Sequence, residues 1–281
     1  MKLFSCADFD CKNSEFVICG VPFDKNHSYR EGSKDASQAI RDASWEIETY
    51  LMEKDIDIED LNICDIGDVH TDNFSDIFGY AKKTINEFKD KKLIIMGGDH
   101  SISFPFISAL NKSEDLCVLS LDAHFDLRES YQGSRDSNAS VMRRVAEEIG
   151  CENLYEIGIR AACKEDFYYA KNNNINFIPY SEIREHGIAV VDCMLEKIKK
   201  TNKRLYLSVD MDVIDSSLAP GVENPEAEGL TTQEFFELIR KIFRTCDVAA
   251  CDIVEVSPEY DCGGITAMLA ARTIFEVLGE W

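Results

Sequence analysis

The chain has 281 residues, 45% hydrophobic and 29% charged, which is enough apolar material for a large core under a charged surface. Thirty Lys and Arg against 52 Asp and Glu give a formal net charge of −22. That balance argues against nucleic acid as a partner, because phosphate contacts need a basic surface, and favours cations, whether metal ions or basic small molecules. No run of about 18 uncharged apolar residues occurs, so no membrane span is expected. The acids in MKLFSCADFDCKNSEF interrupt any signal-peptide core, which predicts a cytoplasmic protein. The 11 cysteines are odd in number and form no CxxC pair. Most, including Cys19, Cys64, Cys117 and Cys251, sit in apolar runs, where free thiols pack as small hydrophobes in a reducing compartment.

Along the chain, short β-branched runs alternate with longer amphipathic stretches. FVICGV (16–21) is followed by a predicted helix over 35–54, then by LNICDIG (61–67) and LIIM (93–96). GGDHS (97–101) comes directly after LIIM. LCVLSL (116–121) runs into DAHFD (122–126), and LYEIGI (154–159) and INFIPY (175–180) follow. LYLSV (205–209) ends in Asp210 and Asp212. A helix predicted over 231–243 has Thr231 or Thr232 as its cap, and VAACDIVEV (248–256) carries Glu255 near its end. Eight strands alternating with helices predict a mostly parallel sheet covered on both faces, for which a closed barrel and an open three-layer sandwich both fit. No repeat, low-complexity tract or linker interrupts residues 1–281, so a single domain is expected.

Four polar clusters fall at the carboxyl ends of strands, where parallel α/β architectures bind ligands. In extended backbone Asp122, His124 and Asp126 face one side, and so do Asp210 and Asp212. His100 follows a glycine pair that lets the backbone approach closely. Four carboxylates in one crevice require compensating protons or cations, and two divalent ions neutralise them. Oxygen and imidazole donors without thiolate favour Mn²⁺ or a similar ion, in a pair roughly 3.5–4 Å apart.

GGDHS, SLDAHFDLR, SVDMDVID and EVSPEYD, in this order, resemble the ureohydrolase family of arginases and agmatinases; GVPFDKNHSYREGSKDASQAIRDAS and GGITAMLAAR match its pattern as well. The matching segments are closer in appearance to agmatinases. The resemblance implies a three-layer α/β/α sandwich with an eight-stranded, mostly parallel sheet. It implies two Mn²⁺ per subunit, one held by His100, Asp122, Asp126 and Asp210 and the other by Asp122, His124, Asp210 and Asp212. It further implies attack of a metal-bridging hydroxide on a guanidinium carbon, with Asp126 orienting the hydroxide and Glu255 aligning the planar cation. The products are urea and an amine. A homo-oligomer, trimer or hexamer, is implied in the same way. Agmatine or a related guanidino amine is the expected substrate, with arginine, formimidoylglutamate and other guanidino compounds as alternatives.

Two departures stand out. Asn138 in DSNASVMRR occupies the place of the family's proton-shuttling histidine, and an amide does not exchange a proton near pH 7. Loss of general acid–base help lowers a rate by about 10²–10⁴. His27 is a candidate to compensate, and a non-catalytic metal-binding relative is the alternative from another class. In APGVENPEAEGLT (219–231), Glu223 stands where the family has glycine, and Glu226 and Glu228 follow. At a pocket mouth these acids favour a substrate with a cationic far end. His70 and His186 are assigned no role.

Overall fold

The computed structural model describes residues 2–69 and 71–281, so His70 lies outside the described residues. All eight apolar runs form strands. They are β1 (Phe16–Gly20), β4 (Ile63–Asp68), β5 (Lys92–Met96), β6 (Leu116–Leu121), β7 (Leu154–Ile159), β8 (Asn176–Pro179), β9 (Arg204–Asp210) and β10 (Val248–Val254). Two further short strands, β2 (Tyr50–Leu51) and β3 (Ile56–Asp57), make a separate hairpin. The main sheet has the order β4-β1-β5-β10-β9-β6-β7-β8, and every pairing in it is parallel. Because β4 and β8 do not pair with each other, the sheet is open.

Strands buried on both faces read as unbroken apolar runs because alternate residues enter two different cores. Along β6, Cys117, Leu119 and Leu121 join one core cluster, while Leu116 and Val118 join the other. The helices that cover the faces are α1 (Ala36–Ser44), α2 (Phe74–Glu87), α3 (Ser103–Asn111), α4 (Val141–Ile149), α5 (Lys164–Asn172), α6 (Tyr180–His186), α7 (Asp192–Lys200), α8 (Thr232–Thr245) and α9 (Ile265–Glu280). Helix α8 opens with a capping box. The Thr231 hydroxyl accepts from Glu234 N at 3.2 Å, and Thr231 N donates to Glu234 Oε2 at 2.9 Å.

Two expectations are corrected. The helix predicted over 35–54 stops at Ser44, and Tyr50 and Leu51 pair antiparallel with Asp57 and Ile56. Ile47, Thr49 and Tyr50 favour extended backbone, and Trp45 Nε1 anchors the helix end by donating to Leu3 O at 2.9 Å. The cysteines are not all free, for Cys11 and Cys64 form a disulfide with Cα atoms 5.1 Å apart. The N-terminal segment runs antiparallel to β4, with a bridge between Asp8 and Cys64, and so brings Cys11 to β4. The other nine cysteines are free. Among the described residues no helix is long and apolar enough to cross a membrane.

Candidate active site

The four central strands β5, β10, β9 and β6 deliver their polar clusters side by side at one edge of the sheet. After β5 the chain passes so close to the loop before α1 that a Cβ on Gly98 would lie 1.8 Å from Phe23 O; only glycine permits this path. His100 follows and is fully buried. Its Nε2 lies 2.9 Å from Ser208 Oγ, whose own O–H donates to Asp252 Oδ1 at 2.7 Å. The Tyr206 hydroxyl donates to the other Asp252 oxygen at 2.7 Å. The Ser208 proton being committed to Asp252, Nε2 must donate, which leaves the Nδ1 lone pair facing the site.

That Nδ1 lies 3.2 Å from Asp122 Oδ2, 3.2 Å from Asp126 Oδ2 and 3.4 Å from Asp210 Oδ2. On the other side, His124 Nδ1 is 2.9 Å from Asp212 Oδ2 and 3.6 Å from Asp122 Oδ1. Backbone donors hold the carboxylates in place: His124 N to Asp122 at 2.6 Å, Ala123 N to Asp212 at 3.0 Å and Asp212 N to Asp210 at 2.8 Å. Two groups of donor atoms result, each within 4.8 Å of one another: His100 with Asp122 and Asp210, and Asp122 with His124 and Asp212. Asp122 belongs to both.

The simple alternation expected for 122–126 does not hold. Strand β6 ends at Leu121, and Asp126 has φ 51°, a left-handed backbone that swings its carboxylate in toward His100. Glu255 adopts φ 68°. Non-glycine residues in this region store strain of order 1–3 kcal/mol, which surrounding structure must hold.

The charges are crowded. Burial, then the charges of Asp212, Asp122 and Glu255, push Asp210 well above the ordinary carboxylate range. Burial and the Asp122 charge raise Asp126 to about 7. Burial disfavours the charged imidazoles, but the carboxylates outweigh it and hold His100 and His124 well above 6.5. His100 Nδ1 and Asp122 Oδ2 are buried without a hydrogen-bond partner. Oxygen and imidazole atoms that converge in this way, with more negative charge than the protein itself compensates, fit divalent cations, whose binding would displace the protons.

Glu255 is buried beside this cluster, its Oε1 accepting from His100 N at 2.6 Å and from Asn138 Nδ2 at 3.1 Å, while Oε2 has no partner. Burial and then the Asp99 charge raise Glu255 to about 7. Asn138, also buried, holds its amide oxygen against Ala139 N at 2.8 Å. His27 does not join the site: Nδ1 donates to Asp24 O at 2.5 Å and Nε2 faces Glu31 at 3.7 Å. His186 ends α6.

A cavity of about 700 Å³ opens onto the cluster through His124 and Asp126, with Tyr29, Arg160, Asp166 and Glu226 on its walls. The three acids of the 219–231 loop part company. Glu226 faces the cavity with Oε1 3.6 Å from His124 Nε2, and the His124 imidazole beside it lowers its pKa. Glu228 points away, paired with Arg184 at 2.6 Å. Glu223 is fully buried beside Glu255, not at a pocket mouth.

Several residues of the site escaped sequence reasoning. Ser208 and Asp252 showed only as polar interruptions of apolar strands. Arg160 gave no signal, yet it donates to Asp212 O at 2.7 Å and Ala227 O at 3.1 Å and so pins the loop over the site.

The family model described as the arginase family matches residues 14–279. The chain belongs to the arginase family. It is 34% identical to the agmatinase of Bacillus anthracis over 292 residues, covering 100% of this chain and 96% of that one. It is 32% identical to the N(1)-aminopropylagmatine ureohydrolase of Thermococcus kodakarensis, covering 95% and 91%. Among solved structures, the agmatine ureohydrolase of Thermoplasma volcanium superposes with a TM-score of 0.91 at 32% identity, covering 100% and 94%. The open α/β/α sandwich is thus the arginase-family fold, and this arginase-family member is a hydrolase of guanidino compounds. The family's binuclear metal site has its counterpart in the two His/Asp groups.

Proposed function

We propose that this arginase-family protein is a binuclear-manganese enzyme that cleaves the guanidino group of agmatine, or a related guanidino amine, to urea and an amine. The observation that carries the reading is the convergence of buried His100, Asp122, Asp210 and Asp212 with part-buried His124 and Asp126, with Nδ1 of His100 and Oδ2 of Asp122 unpartnered. The absence of a thiolate from both groups favours Mn²⁺. These residues would hold two divalent ions, which would supply a nucleophilic water at neutral pH, since metal binding lowers the pKa of water to about 7. Asp126 would orient that water and take up its proton. Glu255 receives the guanidinium N–H groups on its free Oε2, and Asn138 holds the other oxygen of Glu255. A cytoplasmic single domain over residues 1–281, assembled as a trimer or hexamer, belongs to the same reading, supported by composition and resemblance.

The cavity supports a cationic tail. Arg160 is committed to backbone carbonyls, and Arg128 stacks on Tyr131 at 4.9 Å and lies 3.9 Å from Asp166. Glu226 is left as the wall charge nearest the cluster. Glu226→Gln is expected to raise KM for agmatine about two- to fivefold, the scale of a part-exposed ion pair. Steady-state urea release against agmatine and a guanidino acid of equal length checks this, and selectivity should narrow.

The testing experiment measures urea release by the Mn²⁺-loaded protein from agmatine, arginine and shorter guanidino acids. Preference for agmatine supports the reading, and a preference for arginine contradicts it. Metal binding without urea from any of them favours the second reading, a non-catalytic relative, for which Asn138 is the specific observation. Asn138→His is expected to add an ionisation between about pH 6 and 7 to the kcat profile. An unchanged profile would show that the leaving amine is protonated by another route.

A further inference from the structure

Residues 221–223 run antiparallel to 255–257. Val222 pairs with Val256, Ser257 N donates to Gly221 O at 2.7 Å and Glu223 N donates to Glu255 O at 3.2 Å. The path is fixed tightly, for a Cβ on Gly221 would lie 2.5 Å from that of Asp261. Glu223 and Glu255 are therefore neighbours by backbone pairing, and both are buried, at 0% and 2% exposure. Both oxygens of Glu223 and Oε2 of Glu255 lack a hydrogen-bond partner.

Among the described residues no basic side chain forms an ion pair with either carboxyl. Nearby, Arg30 donates to Val222 O at 3.4 Å and stacks on Tyr260 at 4.5 Å, and Lys34 faces Asp24 at 3.5 Å. Two adjacent buried carboxylates with no basic side chain paired to them repel each other when both are ionised, and as carboxylates they have only acceptors to offer each other. One proton turns this arrangement into an O–H···O hydrogen bond.

We propose that Glu223 is a positioning residue for Glu255, an uncharged carboxylic acid that donates its O–H to the free Oε2. Burial, reinforced by the charges of Glu255 and Asp99, pushes Glu223 up to about 12, in the same direction. Glu255 then has protein donors on both oxygens, from His100 N and Asn138 on one and Glu223 on the other. A lone pair on Oε2 stays available to a guanidinium. The two positions at which the sequence departs from the family pattern, Asn138 and Glu223, thus meet on one carboxylate. The proposal rests on the reading of Glu255 as the guanidinium-binding group.

The test compares Mn²⁺-loaded wild type, Glu223→Gln and Glu223→Ala by KM and kcat for agmatine, and by infrared spectroscopy of the carboxyl region at neutral pH. Glutamine keeps a donor and alanine does not. Glu223→Ala should raise KM roughly tenfold or more, the scale of a hydrogen bond to a charged group, while Glu223→Gln stays within about threefold of wild type. The carbonyl stretch of a neutral carboxylic acid should be present in wild type and absent from Glu223→Gln. A Glu223→Gln protein as impaired as Glu223→Ala, an unimpaired Glu223→Ala, or no neutral-acid band lost on substitution overturns the proposal. The infrared arm decides the matter even if no guanidino compound yields urea, so failure of the proposed function remains distinguishable.

Discussion

Asp122→Ala is expected to abolish binding of both metal ions and to lower urea release by about 10³-fold or more. The magnitude follows from chemistry that metal ions support with several kcal/mol, at roughly 1.4 kcal/mol per tenfold in rate. Asp122 is the one side chain present in both donor groups. Its Oδ2 faces His100 at 3.2 Å and its Oδ1 faces His124 at 3.6 Å, so this single substitution removes a donor from both groups. Asp212→Ala is the comparison, since Asp212 belongs to one group only. Metal content measured after dialysis should fall toward zero for Asp122→Ala and toward one ion per chain for Asp212→Ala. Folding should survive both changes. Burial disfavours the charged form of Asp122, but His100 and His124 outweigh it and hold its pKa below the ordinary carboxylate range, and His124 N donates to it, so the metal-free thermal midpoint of Asp122→Ala is expected to fall below that of metal-free wild type at neutral pH.

Glu255→Gln is expected to cut kcat/KM for a guanidino substrate by about 10²-fold or more, chiefly through KM. A buried, hydrogen-bonded charge pair that loses one charge costs about 2–5 kcal/mol. The backbone at φ 68° and the two donors on Oε1 fix the carboxylate, so the substrate meets a group that needs little reorganisation. Glutamine preserves the shape but places an amide where negative charge is needed. Metal content should stay at the wild-type value, because Glu255 lies in neither donor group. A variant with wild-type KM would remove Glu255 from substrate recognition and leave the metal site untouched.

The sheet was legible because its strands are buried on both faces and so appear as unbroken apolar runs bounded by polar residues. The open form was legible only through the family resemblance, since periodicity counts strands without saying whether the outer ones meet. The stretch 35–54 read as a helix because its apolar spacing persists past Ser44, where Trp45 is anchored to Leu3 and the chain turns into a hairpin. The disulfide was hidden because Cys11 reaches β4 only through the path of the N-terminal segment.

The donor residues were legible as types and positions, whereas their directions were not. Asp126 reaches His100 through a left-handed backbone that no alternation rule contains. Glu223 misled most. Three acids in a loop of proline and glycine suggest a pocket mouth, yet pairing of Val222 with Val256 carries Glu223 into the interior. Side-chain type foretold none of this, because the backbone register that buries it is set by residues 255–257 on a distant part of the chain.

The most direct test strips the protein with a chelator and titrates Mn²⁺ back while following urea release from agmatine. The site built on His100, His124 and four aspartates predicts negligible rate in the stripped protein and a rise that saturates at two ions per chain. Full activity without added metal, or saturation with the ions bound away from Asp122, would contradict it.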